Sequence, residues 1–297
     1  MTNALLNEYL SYLSDIKKYS DNTVNSYKRD ITGYALFLTD NNSDIITAGT
    51  SHVLNYLMQL QQTGKSAATA TRTLASVRSF YKYLIHKKYV SADPTYSIHG
   101  FKADKKPPQS LSSMQVDILL AQPVCRNVKG YRDKALLEIM YATGMRASDI
   151  IKLRVSDVNL SVGYIYCKGK DKERIIPIYS YARDCVKDYI EKRKLIQNAD
   201  KTDYLFLNLS GSPLTRQGLW KIIKFYQRKS GINVDITPHT LRHSFAIHLI
   251  ENGADLKSVQ EMMGHSDISS TQIYEKIIKN KLTEVYNQSH PRAKKDV

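Results

Sequence analysis

Two blocks of helical periodicity, parted by a stretch that no helix can cross, limit the folds open to this chain more than any other feature. In the first block apolar residues recur at Leu6, Tyr9, Leu10 and Leu13, and again at Val24, Tyr27, Ile31, Tyr34 and Phe37. That spacing is one face of an α-helix, repeated in two helices. Asp21-Asn22-Thr23 lies between them and offers a capping side chain to the second. A third helix is expected over Val53 to Gln61 and a fourth over Ala67 to His86, with Leu74, Val77, Phe80, Tyr81 and Leu84 inside and Arg72, Arg78 and Lys82 outside. From Asp93 to Gln109 the pattern gives way to Asp93-Pro94, Lys102, Lys105, Lys106 and Pro107-Pro108, which reads as an interdomain linker. The expected organisation is a helical domain over 1–92, a linker over 93–109 and a second domain over 110–297.

The second block is helical with one short interruption. A helix opens at Ser110-Leu-Ser-Ser-Met-Gln, and another runs from Tyr131 to Met140 and ends at Thr143-Gly144. Gly163-Tyr-Ile-Tyr-Cys and Arg174-Ile-Ile-Pro-Ile then flank a lysine-rich turn, as the strands of a β-hairpin do. Helical spacing resumes at Ala182 to Leu195, Gly218 to Lys229, His239 to Asn252 and Leu256 to Met263. The expected fold class is mainly α: four N-terminal helices, then an α+β domain with a small antiparallel sheet.

At 297 residues the chain is long enough for two domains that each bury a core. Its 43 Lys and Arg outnumber 28 Asp and Glu, a formal charge of +15, which suits a protein that neutralises a polyanion. Nucleic acid is the leading partner, although charge alone does not decide it. Cys125, Cys167 and Cys185 are widely spaced and form no C-x-x-C pair, so they read as small buried hydrophobes in a reducing cytoplasm. The N-terminus has no basic start or apolar core, and no apolar run approaches the roughly 20 residues of a spanning helix. The expectation is a soluble, cytoplasmic protein.

The residues that carry chemistry lie mostly in the last quarter. Thr237-Pro-His239-Thr-Leu-Arg242-His243 is followed by Gly264-His265-Ser266 and by Tyr274, and Gly144-Met-Arg146-Ala-Ser-Asp supplies a second arginine. A phosphodiester can be cut without a metal if fixed cations neutralise its non-bridging oxygens, and a guanidinium does this with a planar, permanently charged fork. His239 and Arg242 are three apart and share a helical face. Tyr274 is the candidate nucleophile. It is one of 21 tyrosines, and only its place after Gly264-His265 sets it apart. A phenol titrates near pH ~10, so nearby positive charge must favour the phenolate as it attacks. His239 and His265 are candidates for proton handling, while His243 and His248 read as packing residues. A zinc site is the weaker reading, because no cysteine, paired carboxylate or H-E-x-x-H completes a ligand set. Lys168-Gly-Lys170-Asp-Lys172-Glu-Arg174 could present the lysine that protonates a leaving oxygen; taken alone it is a solvated loop or a patch of phosphate contacts. Arg72, Arg78, Lys105, Arg216 and Gln217 are candidates for further DNA contacts.

Taken together, Thr143-Gly-Met-Arg146-Ala-Ser-Asp, the Lys-Gly-Lys turn, His239-Thr-Leu-Arg242-His, Gly264-His265-Ser and Tyr274 closely resemble the tyrosine recombinase family of phage-type integrases. The two-domain length and the Ser20-Asp-Asn-Thr-Val-Asn-Ser-Tyr segment look most like its Xer members. The resemblance implies that Arg146, Lys170, His239, Arg242 and His265 form the phosphate site and that Tyr274 makes a 3′-phosphotyrosyl intermediate, with no metal or other cofactor. It also implies an N-terminal clamp on duplex DNA, a tetramer that exchanges strands on two DNA sites through a Holliday junction, and a C-terminal exchange segment from about Asn280 to Val297. A second recombinase and a DNA translocase are the further partners it suggests. One departure stands out: the family hairpin usually reads Gly-Lys-Gly-x-Lys-Glu-Arg, and with Gly169-Lys170 as the matching pair the turn here is one residue shorter. Counting from Arg146 favours Lys170 over Lys168 and leaves both open. The expected function is resolution of chromosome or plasmid dimers. The rivals are an integrase or transposon-borne recombinase of the same chemistry, a type IB topoisomerase, and a DNA-binding protein without catalysis.

Overall fold

A computed structural model describes residues 2–101, 109–168 and 173–264. Contacts divide the chain into two units, Met1–Lys106 and Pro107–Val297. Among the described residues no helix is long and apolar enough to cross a membrane.

The first unit holds the expected four helices, α1 (Thr2–Ser11, extended by a π-helical turn at Tyr12–Ile16), α2 (Asp21–Asp40), α3 (Thr50–Gln62) and α4 (Ala67–His86). The cap on α2 is Ser20, one residue before the expected trio: its hydroxyl accepts the Thr23 amide. Ser66 does the same for α4 through Thr69. Of the predicted inward residues, Tyr9, Ile31, Tyr34, Leu74, Phe80 and Tyr81 are each no more than 2% exposed, while Leu10, Val24, Tyr27 and Phe37 are partly buried against the same core. The Tyr9 and Phe80 rings meet tilted at 5.0 Å, a geometry favoured by the ring quadrupoles.

The expected linker is too long at its start. Ile98 joins the core of the first unit, and Phe101 accepts a hydrogen bond from the Thr71 hydroxyl. Arg78 donates to the carbonyls of Thr95 and Ile98, at 3.1 and 2.5 Å, and to the Thr95 hydroxyl. Residues 93–101 are therefore a tail folded onto this unit, anchored by Arg78, one of the candidate DNA contacts named above.

In the second unit, α5 (Ser113–Leu120) opens with a capping box between Ser112 and Gln115, a few residues after the expected start. α6 (Val128–Thr143) is the central helix, and its charged residues Arg132, Asp133, Lys134 and Glu138 are buried along with its apolar ones. A single turn, α7 (Ala147–Ile150), follows. The hairpin is present as β2 (Tyr164–Lys168) and β3 (Glu173–Pro177), and a short β1 (Val158–Asn159) adds a third antiparallel strand in the order β1-β2-β3. Ile165 pairs with Ile176 and Cys167 with Arg174, so these four alternate onto the inner face of the sheet. Then come α8 (Ser180–Arg193), α9 (Arg216–Ser230), α10 (Pro238–Glu251) and α11 (Leu256–Met263). Burial pushes the Cys167 and Cys185 thiols up to about 11, which keeps them protonated at neutral pH. Cys125 departs from the expectation of a buried hydrophobe, because it is exposed.

Candidate active site

Local sequence explains how the two arginines come to face one another. α6 ends at Gly144 in the left-handed conformation, φ +56°, and the chain passes through Met145 to an extended Arg146 before α7. A Cβ on Gly144 would lie 2.3 Å from the Phe245 ring, so the residue must be glycine for α6 and α10 to approach. α10 begins at a capping box of Thr237 and Thr240 with Pro238 in its first position, which fixes the register of His239 and Arg242 on the first turns. Arg242 is only 6% exposed. One of its guanidinium nitrogens, Nη1, donates to the Gly144 carbonyl, and Nη2 donates to Met263 O at 2.6 Å. Arg146 is exposed and donates through Nη2 to the next carbonyl, Gly264 O, at 2.7 Å. The two guanidiniums therefore bond consecutive carbonyls where α11 ends. His239 is exposed on the first turn of the helix that carries Arg242.

A third guanidinium belongs to the same group. Arg174, on β3, donates from Nε to Met262 O at 2.9 Å and from Nη2 to Asp149 Oδ2 at 3.1 Å. Both residues lie inside the motifs above, where spacing alone assigns neither a role. The signal was faint: an inward charge on a strand becomes visible only once the pleat is known.

The remaining expectations divide. Lys168 is 60% exposed and ion-paired with Asp157 at 3.4 Å. Lys105, Lys170, His265, Tyr274 and the exchange segment 280–297 lie outside the described residues. Among the DNA candidates, Arg72 is half-exposed and held by the buried Asp30 at 2.5 Å, with Ser76 as a second donor to that carboxylate. Arg216 and Gln217 are exposed at the start of α9, just after the Thr215 cap. His248 is a packing residue as expected, bonded to the Tyr141 hydroxyl at 2.8 Å and the Leu111 carbonyl at 2.9 Å. Burial lowers the pKa of His243, which favours its neutral form. Among the described residues no group of His, Cys, Asp or Glu is placed to hold a metal ion.

Comparison with known proteins fixes the class. Residues 109–281 match the phage integrase family, and residues 6–88 match the phage integrase N-terminal SAM-like domain. The chain belongs to the phage integrase family, the tyrosine recombinases, and as such is an enzyme that breaks and rejoins DNA. Within it, the chain is 44% identical over 294 residues to tyrosine recombinase XerD of Staphylococcus epidermidis, covering 98% of this chain and 100% of that one. It is equally 44% identical over 294 residues to XerD of Oceanobacillus iheyensis, covering 97% of this chain and 98% of that one. Its fold is similar to that of the XerH site-specific recombinase bound to a palindromic difH substrate in a post-cleavage complex, with TM-score 0.75 and 24% identity over 89% of this chain and 79% of that one.

Proposed function

We propose that the chain is a site-specific recombinase of the Xer type that cuts DNA through a 3′-phosphotyrosyl intermediate on Tyr274 and resolves chromosome or plasmid dimers in the cytoplasm. The observation that carries this reading is the pairing of Arg146 and Arg242 at the end of α11, whose chain continues directly to His265 and Tyr274. Two fixed guanidiniums can bind the non-bridging oxygens of one phosphate and hold the charge that builds on them as the phosphorus is attacked. A guanidinium has five N–H donors, of which Arg146 gives one to Gly264 O while Arg242 bonds Gly144 O and Met263 O. The Tyr274 oxygen forms the new bond to phosphorus and the bond to the 5′ oxygen breaks. The phenol proton passes to a histidine, for which His239 and His265 are the candidates, and Lys170 supplies the proton that the 5′ oxygen takes up. The phosphotyrosyl bond keeps the energy of the broken ester for rejoining to another strand. Repetition of the exchange on the second strand pair passes through a Holliday junction, which calls for four protomers on two DNA sites, with a second recombinase and a DNA translocase as further partners.

A nicked suicide duplex carrying the recombination site tests the reading. The wild-type chain should form a covalent adduct that survives denaturant, while Tyr274→Phe should lose the adduct and keep its DNA affinity. An adduct from Tyr274→Phe refutes the nucleophile. Lys170→Ala should cleave slowly and Lys168→Ala nearly normally, because Lys168 is engaged by Asp157; equal rates would reject that assignment.

A further inference from the structure

The end of α11 is gripped by three arginines in sequence. Met262 O accepts from Arg174, Met263 O from Arg242 and Gly264 O from Arg146. The last carbonyls of a helix have no intrahelical partner and carry its negative dipole end, so cations there bind both the lone pairs and the field. Arg146 and Arg242 have a second task in the proposed chemistry, at the phosphate. Arg174 differs from both. Its side chain is 10% exposed, points to the inner face of the sheet, and pairs with Asp149, whose own amide donates to the Arg146 carbonyl at 2.8 Å.

Arg174 thus ties together elements that the reaction needs in register. It stands on β3 immediately after the hairpin, its carboxylate partner stands on α7 next to Arg146, and its Nε holds the end of α11. Gly264 completes the contact. It caps α11 at φ +63°, and a Cβ there would stand 2.9 Å from Arg174 Nη1 and 3.1 Å from its Cζ. The guanidinium therefore lies flat against the residue from which the chain departs toward His265 and Tyr274. A lysine could keep the charge but not the fork that reaches Asp149 and Met262 together.

We propose that Arg174 is a positioning residue for strand cleavage, acting through the end of α11 and not through the hairpin lysine. The proposal rests on the reading of Tyr274 as nucleophile. Arg174 fixes the point from which the nucleophile's segment starts and keeps α7, with Arg146, in register with it. Misplacement of a reacting group by about 1 Å is enough to slow a reaction about 10²-fold, so the defect belongs in the rate of cleavage, with DNA affinity kept.

Single-turnover cleavage of two suicide duplexes tests this, one with an ordinary phosphodiester and one with a bridging 5′-phosphorothiolate. In the second, the phosphorus–sulfur bond breaks and the thiolate leaves without needing a proton, so loss of the general acid is masked. Arg174→Lys and Arg174→Ala should slow cleavage of both duplexes by about 10²-fold. Lys170→Ala should be slow on the ordinary duplex and recover on the phosphorothiolate. Gly264→Ala, which displaces the guanidinium without touching β3, should reproduce the Arg174 defect and add little to Arg174→Lys. Should Arg174→Ala fail to fold, Arg174→Lys and Gly264→Ala carry the test. Folded Arg174→Lys cleaving at the wild-type rate overturns the proposal, as does recovery of the Arg174 variants on the phosphorothiolate, which would assign the residue to the hairpin lysine. A Tyr274→Phe control run alongside reports on the nucleophile separately: an adduct there refutes that assignment, while Arg174 is still judged by its own rates on the two duplexes.

Discussion

One methyl group added at Gly144 tests whether the contact between α6 and α10 sets the place of Arg242. Gly144 sits at φ +56°, a left-handed conformation that costs an L residue roughly 1–2 kcal/mol. The added Cβ would stand 2.3 Å from Phe245 Cδ1 and 2.9 Å from Cε1. The ring has little room to move, being 7% exposed in a cluster with Ala246, Ile250 and Met263, and such overpacking costs about 1–3 kcal/mol. Reduced freedom of the unfolded chain returns about 0.4–1 kcal/mol. Gly144→Ala should therefore destabilise the second unit by about 1–4.6 kcal/mol. The single tryptophan, Trp220, lies on α9 in that unit, so its emission during a urea titration reports this unit and not the N-terminal one. Phe245→Ala costs about 3–5 kcal/mol alone but removes the obstacle. In its background Gly144→Ala should cost only the backbone part less the same unfolded-chain return, about 0–1.6 kcal/mol, leaving a coupling of about 1–3 kcal/mol. An equal cost in both backgrounds would refute the ring contact as the cause. Because the Gly144 carbonyl accepts from Arg242, the single variant should also slow adduct formation.

Two further outcomes follow from buried charge. Lys134 and Glu138 lie 2.9 Å apart on α6 at 9% and 2% exposure, and Tyr179 also donates to Glu138. Lys134→Met strands the carboxylate and should cost about 3–5 kcal/mol by the Trp220 titration. Adding Glu138→Gln, which is neutral and keeps an acceptor for Tyr179, should restore part of it, and no restoration would mean that charge is not the cause. For His243, burial lowers the folded-state pKa below its ordinary 6.5, so the unfolded chain takes up the proton first as the pH falls. Its contribution to stability is complete above about 6.5 and is lost below. His243→Gln should lose less melting temperature than wild type between about pH 7.5 and 5.5; equal losses would count against this.

How much of this was legible in the sequence follows the range of the interactions. α4 and α11 stand where apolar spacing places them, Ala67–His86 and Leu256–Met263, because their inward residues recur within a single helix. β1 is not legible in sequence: two residues long, it shows no alternation and exists only by pairing Val158 with Ile165 and Asn159 with Tyr164. The expected linker starts before the observed end of the first unit's fold for a related reason. Polar and proline-containing residues from Asp93 onward look unstructured until Arg78 is seen to supply donors to their carbonyls.

At the site, the legible part is the part with chemical identity. His239 and Arg242 are three residues apart behind a Thr-Pro start, which suffices to place them on one turn. What brings Arg146 beside them is not a side chain at all. The carbonyls of Met262, Met263 and Gly264 hold three arginines drawn from β3, α10 and the turn before α7, and any residue could have supplied those oxygens. Only the glycines leave a trace, since Gly144 and Gly264 are each required by a positive φ and by a neighbour that a Cβ would strike. Motif glycines beside the candidate arginines are thus better read as marks of where two elements approach than as flexible joints. On that reading Gly264 predicts a close neighbour for α11's last turn, and that neighbour is Arg174.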